Sequence, residues 1–212
     1  QPGSTFKVLA AYAPALDAGG KTLASVQDNA PMLYNENPTG IETQYDNSVD
    51  NYDGNYTGYT SYREGIIKSI NVVAVKTMQE VGVGLCFEYL QKFGFTSLVA
   101  GDATLATALG GVTHGVSNIE LTAAYASIAN HGTYCEPKLY TQVVDSKGNV
   151  ILDNSAPETK EVLKESTAWL LTSAMQDVMT KGTGGRANFQ GMAVAGKSGT
   201  TTKNRDTVFA GF

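Results

Sequence analysis

The sequence predicts an α+β fold in which helices pack on both faces of an antiparallel sheet. Several stretches carry apolar residues at helical spacing between capping and glycine signals. Shorter alternating stretches joined by turn residues indicate antiparallel strand pairs. The chain has 212 residues, of which 42% are hydrophobic. This size and composition predict one globular domain, residues 1–212.

The first helix is expected directly after Pro2-Gly3, which interrupts regular structure. The segment from Thr5 to Leu16 is rich in Ala, Leu and Val, and Ser4 stands at its start. Pro14 has no N–H to donate, so we expect it to kink or shorten this helix. Gly19-Gly20 then ends it.

Residues 19–60 are rich in Asn, Asp, Gly, Thr and Tyr and show little periodicity. We expect a long surface loop here, with short strands around Tyr34 and Tyr45. A loop of this length in a compact domain is often functional. Its tyrosines either line a substrate groove or anchor the loop.

Further helices follow, two of them with capping boxes. Ser61 with Glu64, and Ser117 with Glu120, have the spacing of an N-cap and a side chain that reaches back. A Gly-rich loop is expected from Lys181 to Asn188. The helices are expected from Ser61 to about Lys68, Val72 to Val81, Phe87 to Phe93, Ile119 to Asn130 and about Ser166 to Met179.

Two strand pairs are predicted in the second half. Leu139–Val144 and Val150–Asp153 alternate and are joined by turn residues, as in a hairpin. Met192–Lys197 and Thr207–Phe212 form a second antiparallel pair around a turn at residues 202–206.

Composition excludes several classes of function. A net charge of −5 gives no basic footprint for nucleic acid. There is neither a signal peptide nor an apolar run of about 18 residues. His114 and His131 lack the paired ligands of a metal site, so we expect no metal and no cofactor. Cys86 and Cys135 are either two thiols or one disulfide.

Three short motifs occur in a fixed order along the chain. They are Ser4-Thr5-Phe6-Lys7, Ser69-Ile70-Asn71 and Lys197-Ser198-Gly199-Thr200. Each alone is common, but all three in this order resemble the penicillin-recognising serine enzymes. In particular, the chain resembles the transpeptidase domain of class A (bifunctional) penicillin-binding proteins. Similar runs are Asn51-Tyr52-Asp53-Gly54, Ala108 to Val116 and Val194 to Thr201.

The resemblance covers nearly the whole chain except the loop around residues 19–50. One departure is Ser198, where the family most often has threonine; the hydroxyl is kept. In the family, two strands precede the first motif, and a strand and a helix follow the third. The resemblance therefore implies a domain truncated at both ends.

The first motif has the chemistry of an activated serine. Ser4 and Lys7 lie one turn apart on a helix, so the lysine can serve as the base that a serine nucleophile needs. The helix N-terminus favours a developing alkoxide. Lys7 must be neutral part of the time, and both burial and the charge of Lys197 would lower its pKa.

The second motif has two interpretations. Ser69 and Asn71 suit a helix cap. The resemblance instead implies that the Ser69 hydroxyl joins a proton relay to the leaving group. It also implies that the Asn71 side chain hydrogen-bonds the substrate backbone and the base.

The third motif is implied to bind the substrate. Lys197, with the hydroxyls of Ser198 and Thr200, would hold the terminal carboxylate of a D-Ala-D-Ala peptide. Gly199 would let the substrate backbone approach and add as a strand. The resemblance also implies an oxyanion hole from the backbone N–H groups of Ser4 and Thr200. The alternative is an ordinary strand-to-turn junction.

The function implied is a peptidoglycan D,D-transpeptidase. Stem peptides would acylate Ser4, and β-lactams would inhibit it. The alternatives are a D,D-carboxypeptidase, a serine β-lactamase, a non-catalytic domain of this fold, and a catalytically incomplete piece. Glu120 is better explained as a cap than as a deacylating glutamate. The class A likeness implies an upstream glycosyltransferase domain, a membrane anchor and a position on the extracytoplasmic face.

Overall fold

The computed structural model describes residues 1–34, 48–201 and 204–212. Helices and antiparallel strands confirm the predicted α+β class. The strand predicted around Tyr45 and part of the turn at 202–206 lie outside the described residues. The α-helices are α1 (Ala13–Asp17), α2 (Tyr62–Ile67), α3 (Asn71–Val81), α4 (Val83–Lys92), α5 (Asn118–Ala129) and α6 (Glu165–Lys181). The strands are β1 (Val26–Asn29), β2 (Gly58–Ser61), β3 (Thr133–Cys135), β4 (Gln142–Val144), β5 (Val150–Asp153), β6 (Thr159–Glu161), β7 (Gly196–Thr200) and β8 (Thr207–Gly211).

The first predicted helix is present, but its winding changes along its length. A 3-10 turn, Gly3–Thr5, is followed by a π-helical segment, Val8–Tyr12, and then by α1. The N–H of Ala13 donates to the carbonyl of Val8, five residues earlier. Pro14 then falls in the first turn of α1, where its missing N–H costs least. The chain therefore stays helical past the proline, and the helix ends just before the predicted glycine pair.

This first helix lies at the centre of the core. Its apolar side chains from Phe6 to Ala13 are fully buried. The helix contacts α3 and α4, and its first turn contacts β7 and β8. A helix that is apolar on all faces is typical of a core element. The expected packing of the nucleophile helix against the strands is confirmed.

Among the described residues, the strands form four separate antiparallel pairs: β1 with β2, β3 with β6, β4 with β5, and β7 with β8. The predicted hairpin corresponds to β4 and β5. The predicted strand from Met192 to Lys197 is wrong in its bounds, because β7 covers Gly196–Thr200. Its extent follows the five residues of β8 that pair with it. The third motif therefore lies within a strand.

The two capping boxes differ. Ser117 accepts a hydrogen bond from the N–H of Glu120, and the Glu120 carboxylate accepts one from the N–H of Ser117. At the start of α2, Ser61 accepts from the N–H of Glu64. The cap predicted at Ser61 is confirmed, and the full box is confirmed at Ser117.

Candidate active site

Residues from all three motifs meet in one cluster, in which the two lysines are buried and Ser69 and Asn71 are partly exposed. The Lys7 Nζ lies 2.5 Å from the Ser69 carbonyl oxygen, 3.2 Å from the Ser69 Oγ and 2.5 Å from the Asn71 Oδ1. The Lys197 Nζ lies 2.8 Å from the Ser69 Oγ. We call these four residues, Lys7, Ser69, Asn71 and Lys197, the lysine cluster. The Ser69 hydroxyl is bonded to both lysines and so joins the first motif to the third.

The local backbone explains how Ser69 reaches Lys7. Ser69 has a φ of +58°, in the left-handed region that few non-glycine residues adopt. It lies in the three-residue connection between α2 and α3, where the Ile70 N–H donates to the Gly65 carbonyl. This turn lets both the carbonyl and the hydroxyl of Ser69 accept from the Lys7 Nζ.

Asn71 is held by residues that the sequence analysis did not assign to the site. The Asn51 Oδ1 accepts from the N–H groups of Asn71 and Val72, at 3.1 and 3.2 Å. The Asn71 Nδ2 donates to the Asp50 carbonyl at 2.6 Å. Asn51 therefore caps α3 from twenty positions away, which leaves the Asn71 Oδ1 to Lys7. The interpretation of Ser69 and Asn71 as the cap itself is wrong.

Burial gives the two lysines unusual acidity. Lys7 is 1% exposed and Lys197 is fully buried. Burial, and then the positive charge of Lys197, hold the pKa of Lys7 well below its usual value. Burial lowers the pKa of Lys197 to about 7. The direction of the Lys7 shift and both of its causes are those expected, and a lowered pKa favours the neutral amine.

Ser4 lies in the 3-10 turn at the start of the first helix and is partly exposed. Within the described part of the chain, its hydroxyl makes no hydrogen bond, and Lys7 donates to the second motif instead. Two contacts fix this turn from behind. The Thr5 hydroxyl donates to the Pro2 carbonyl, and the Tyr125 hydroxyl donates to the Thr5 carbonyl. The nucleophile expected at residue 4 therefore sits on a rigid turn with its oxygen free.

Strand β7 packs directly on this turn. A Cβ at Gly199 would lie 2.8 Å from the Pro2 carbonyl oxygen and 2.9 Å from a methyl group of Thr5. Glycine at 199 is therefore required by helix packing, a reason that the sequence analysis missed. A Cβ at Gly3 would lie 3.0 Å from the Thr200 carbonyl oxygen. The two residues expected to form the oxyanion hole, 4 and 200, are thus brought next to each other; the hole itself stays a prediction.

The polar side chains of the third motif differ in burial: the lysine points into the protein, and the two hydroxyl residues lie at the surface. The Lys197 Nζ is committed to the Ser69 Oγ and to the Ser198 carbonyl at 2.9 Å. Ser198 is partly exposed and Thr200 is exposed. The Ser198 Oγ lies 2.6 Å from the Thr183 Oγ1, on the loop after α6. Thr183 was not predicted; its only signal in the sequence is that glycines flank it.

The remaining candidates lie outside the cluster. His131 faces Glu165 at the surface, with 3.2 Å between Nδ1 and Oε1. The pKa of Glu120 is raised by burial, but hydrogen bonds from Thr96 and Ser117 outweigh this and lower it to about 2. Both cysteines are free thiols.

Two kinds of feature are absent from the part of the chain that the structure describes. In the ranges 1–34, 48–201 and 204–212, no group of three or more His, Cys, Asp and Glu side chains is placed to hold a metal ion. Over the same ranges, no helix has the length and apolar character needed to cross a membrane.

A serine in the first turn of a helix, one turn before a buried lysine of lowered pKa, is the arrangement expected of serine acyltransferases that use lysine as the base. Comparison with known proteins agrees. The sequence profile described as penicillin binding protein transpeptidase domain matches residues 1–210. The chain belongs to the penicillin-binding protein transpeptidase family.

Individual relatives support this membership. The chain is 35% identical to penicillin-binding protein 1A of Clostridium perfringens, over 99% of this chain and 31% of that protein. It is 34% identical to penicillin-binding protein 1F of Bacillus subtilis, over 100% of this chain and 28% of that protein. The crystal structure of penicillin-binding protein 1A from Haemophilus influenzae matches with a TM-score of 0.83 and 26% identity, over 99% of this chain and 36% of that one. The chain thus spans about a third of the length of such relatives.

Proposed function

We propose that the chain is the D,D-transpeptidase unit of a cell-wall synthesising protein. It would transfer the acyl group of a D-Ala-D-Ala stem peptide to an amine of a neighbouring peptide. The lysine cluster is the observation that supports this proposal most strongly, because it contains Lys7, one helical turn from Ser4, and burial favours the neutral form of the Lys7 amine. The names of the relatives agree with it.

Acylation follows from the contacts in the cluster. The Ser4 Oγ attacks the carbonyl carbon of the D-Ala-D-Ala amide, and its proton passes to the Lys7 amine. The Ser69 Oγ accepts from both lysines, so its own hydrogen remains to be donated to the leaving nitrogen. Ser69 then recovers a proton from Lys7 as D-alanine departs. The result is an ester on Ser4 and a cluster restored to its starting protonation.

Deacylation separates the candidate activities. An acceptor amine attacks the Ser4 ester, the crosslink forms, and the amine proton returns to Ser4 through Lys7. Water in place of the amine would make the protein a D,D-carboxypeptidase. Rapid hydrolysis of a β-lactam ester would make it a β-lactamase, but Glu120, considered as a deacylating glutamate, is occupied by its helix cap. The Glu120 contacts speak against the β-lactamase, and the preference for an amine over water belongs to the proposal.

The setting of this activity is also a proposal. The likeness to penicillin-binding proteins 1A and 1F implies a longer protein with a glycosyltransferase domain and a membrane anchor upstream. Peptidoglycan is assembled outside the membrane, so the site would work on the extracytoplasmic face. Its partners would be stem peptides, with β-lactams as inhibitors that acylate Ser4.

The test is product partitioning with a peptide ending in D-Ala-D-Ala, with and without an added amine acceptor. A transpeptidase releases D-alanine and forms the amine-linked product, with a yield that rises with acceptor concentration. Hydrolysis alone, at every acceptor concentration, would assign a carboxypeptidase. If the folded protein releases no D-alanine from the peptide, acyl transfer from this donor is contradicted.

A further inference from the structure

Two hydroxyl groups form a pair at the rim of the site. The Oγ1 of Thr183 and the Oγ of Ser198 are 2.6 Å apart, and either atom can be the donor. Ser198 belongs to the third motif, whereas Thr183 comes from the loop that follows α6. We call these two residues the rim pair.

Thr183 is exposed, yet its backbone is held in place. The N–H groups of Gly182 and Gly184 both donate to the Val178 carbonyl, each at 3.1 Å. A Cβ at Gly182 would overlap the Ile67 carbonyl oxygen, so the chain passes close to the end of α2. An exposed threonine fixed on both sides can hold its hydroxyl where a partner needs it.

The contacts of Lys197 leave a task for the rim pair. Its Nζ is fully buried and donates to the Ser69 Oγ and the Ser198 carbonyl. Lys197 therefore does not reach the surface, and its charge acts on a ligand in the groove only through the intervening protein. A hydroxyl that can donate from the partly exposed rim is the Ser198 hydroxyl, the one that Thr183 touches.

Counting hydrogens fixes the direction of the bond when an anion is present. Each hydroxyl has one hydrogen to donate and lone pairs to accept. If Ser198 donates its hydrogen to a carboxylate, the bond between the pair persists only with Thr183 as the donor. Hydrogen bonds in such a chain polarise and strengthen one another. An anion would therefore align both hydroxyls more strongly than a neutral acceptor such as an ester carbonyl, because its bond to Ser198 is charge-assisted.

We propose that Thr183 is a positioning residue for acyl donors that carry a free carboxylate. Its hydroxyl donates a hydrogen bond to the Ser198 Oγ and so directs the Ser198 hydrogen to that carboxylate. The ligands concerned are peptides and β-lactams whose carboxylate lies next to the amide that is cleaved. This inference rests on the proposed function, because it assigns substrate preference at that same site.

The test compares a penicillin with its methyl ester, which lacks the anion. The measured quantity is the second-order rate constant of acylation. Thr183→Val, which keeps the shape but removes the hydroxyl, should slow acylation by the free acid roughly three- to tenfold, the size of one ordinary hydrogen bond. Acylation by the ester should change by less than about twofold, because it makes no charge-assisted bond to lose.

Three further variants make the result specific. Thr183→Ser keeps the hydroxyl and should restore the rate with the free acid. Ser198→Ala should show the same acid-selective loss, and the double variant should lose no more than Ser198→Ala alone. Thr180→Val is the matched control, since the Thr180 hydroxyl is exposed and donates to the Gln176 carbonyl of its own helix. It should leave both rates unchanged.

The outcomes are distinct. An equal loss with acid and ester in Thr183→Val would overturn the inference in favour of a purely structural role. An unchanged rate with the acid would overturn it as well. If the wild-type protein forms no adduct with either compound, the proposed function fails, and the inference fails with it. Acid-selective loss with rescue by serine would support both.

Discussion

The lysine cluster and the rim pair meet at the third motif, and they differ in almost every physical respect. The two lysines of the cluster are buried, and their amines have lowered pKa values. The rim pair consists of neutral hydroxyls in contact with solvent. Burial changes the chemistry of a group, whereas a rim position changes which ligands it meets. Substitutions in the cluster should therefore slow acylation by every acyl donor. Substitutions at the rim should slow acylation only by donors with a free carboxylate.

The largest effect is expected from Lys7→Met, which removes the amine and keeps the length of the side chain. Acylation by a penicillin and by its methyl ester should fall alike, by about 10²- to 10⁴-fold, because the general base is lost. The check is the rate of adduct formation by intact-mass spectrometry. Lys147→Met, on the exposed turn between β4 and β5, is the control. A rate within threefold of wild type would exclude Lys7 as the base.

The second effect is a pH dependence of stability from Lys197. Its pKa is about 7 when folded, against 10.5 for the ordinary group. Between these values the unfolded chain binds the extra proton, so the free energy of unfolding should rise with pH. The free energy of unfolding of the wild type, minus that of Lys197→Met, should increase by about 1 kcal/mol per pH unit from pH 7 to 9.5. Urea denaturation at several pH values measures it.

The outcome that would contradict this account is a constant difference between wild type and Lys197→Met over that pH range. A difference that shrinks as the pH rises would have the wrong sign. Either result would mean that Lys197 keeps its charge in the folded protein. The charge on Lys197 would then persist beside Lys7, where it lowers the pKa of that lysine further.

A smaller effect is expected from Asn51→Ala, which tests how the cluster is supported. It removes the acceptor for the N–H groups of Asn71 and Val72, so stability should fall by about 1–2 kcal/mol, as for other helix caps. Acylation should also slow, by less than in Lys7→Met, since Asn71 loses its fixed position. Thermal melting and adduct kinetics measure the two. Asn188→Ala, an exposed loop asparagine, is the matched control; equal stability of both variants would refute the capping role.

Local signals predicted local structure well. The valine stripe located α3 to within one residue, because Val72 to Val81 contains the apolar face of that helix. The box at Ser117 predicted the start of α5 from contacts only three residues apart. The short strands β3 and β6 were missed. All residues of β6 are exposed, so they show no alternation, and their pairing depends on a partner 26 positions away.

The site was predicted as a set of residues, but not as a network. The family resemblance identified Ser4, Lys7, Ser69 and Lys197, and the structure brings the last three together. No pattern in the sequence connects Asn51 to the backbone of α3 or Thr183 to Ser198. Those bonds join segments 15 to 21 residues apart whose approach is set by packing. Supporting residues of this kind become visible only in three dimensions.

The most direct test of the central claim is the site of covalent attachment. The protein is mixed with a penicillin, its intact mass is recorded, and any adduct is located by peptide mapping. We expect one penicillin per chain, stable over the measurement, on the peptide that contains Ser4, and no adduct in Ser4→Ala. An adduct at another residue, or none on the folded wild-type protein, would contradict the assignment of Ser4 as a nucleophile activated by the lysine cluster.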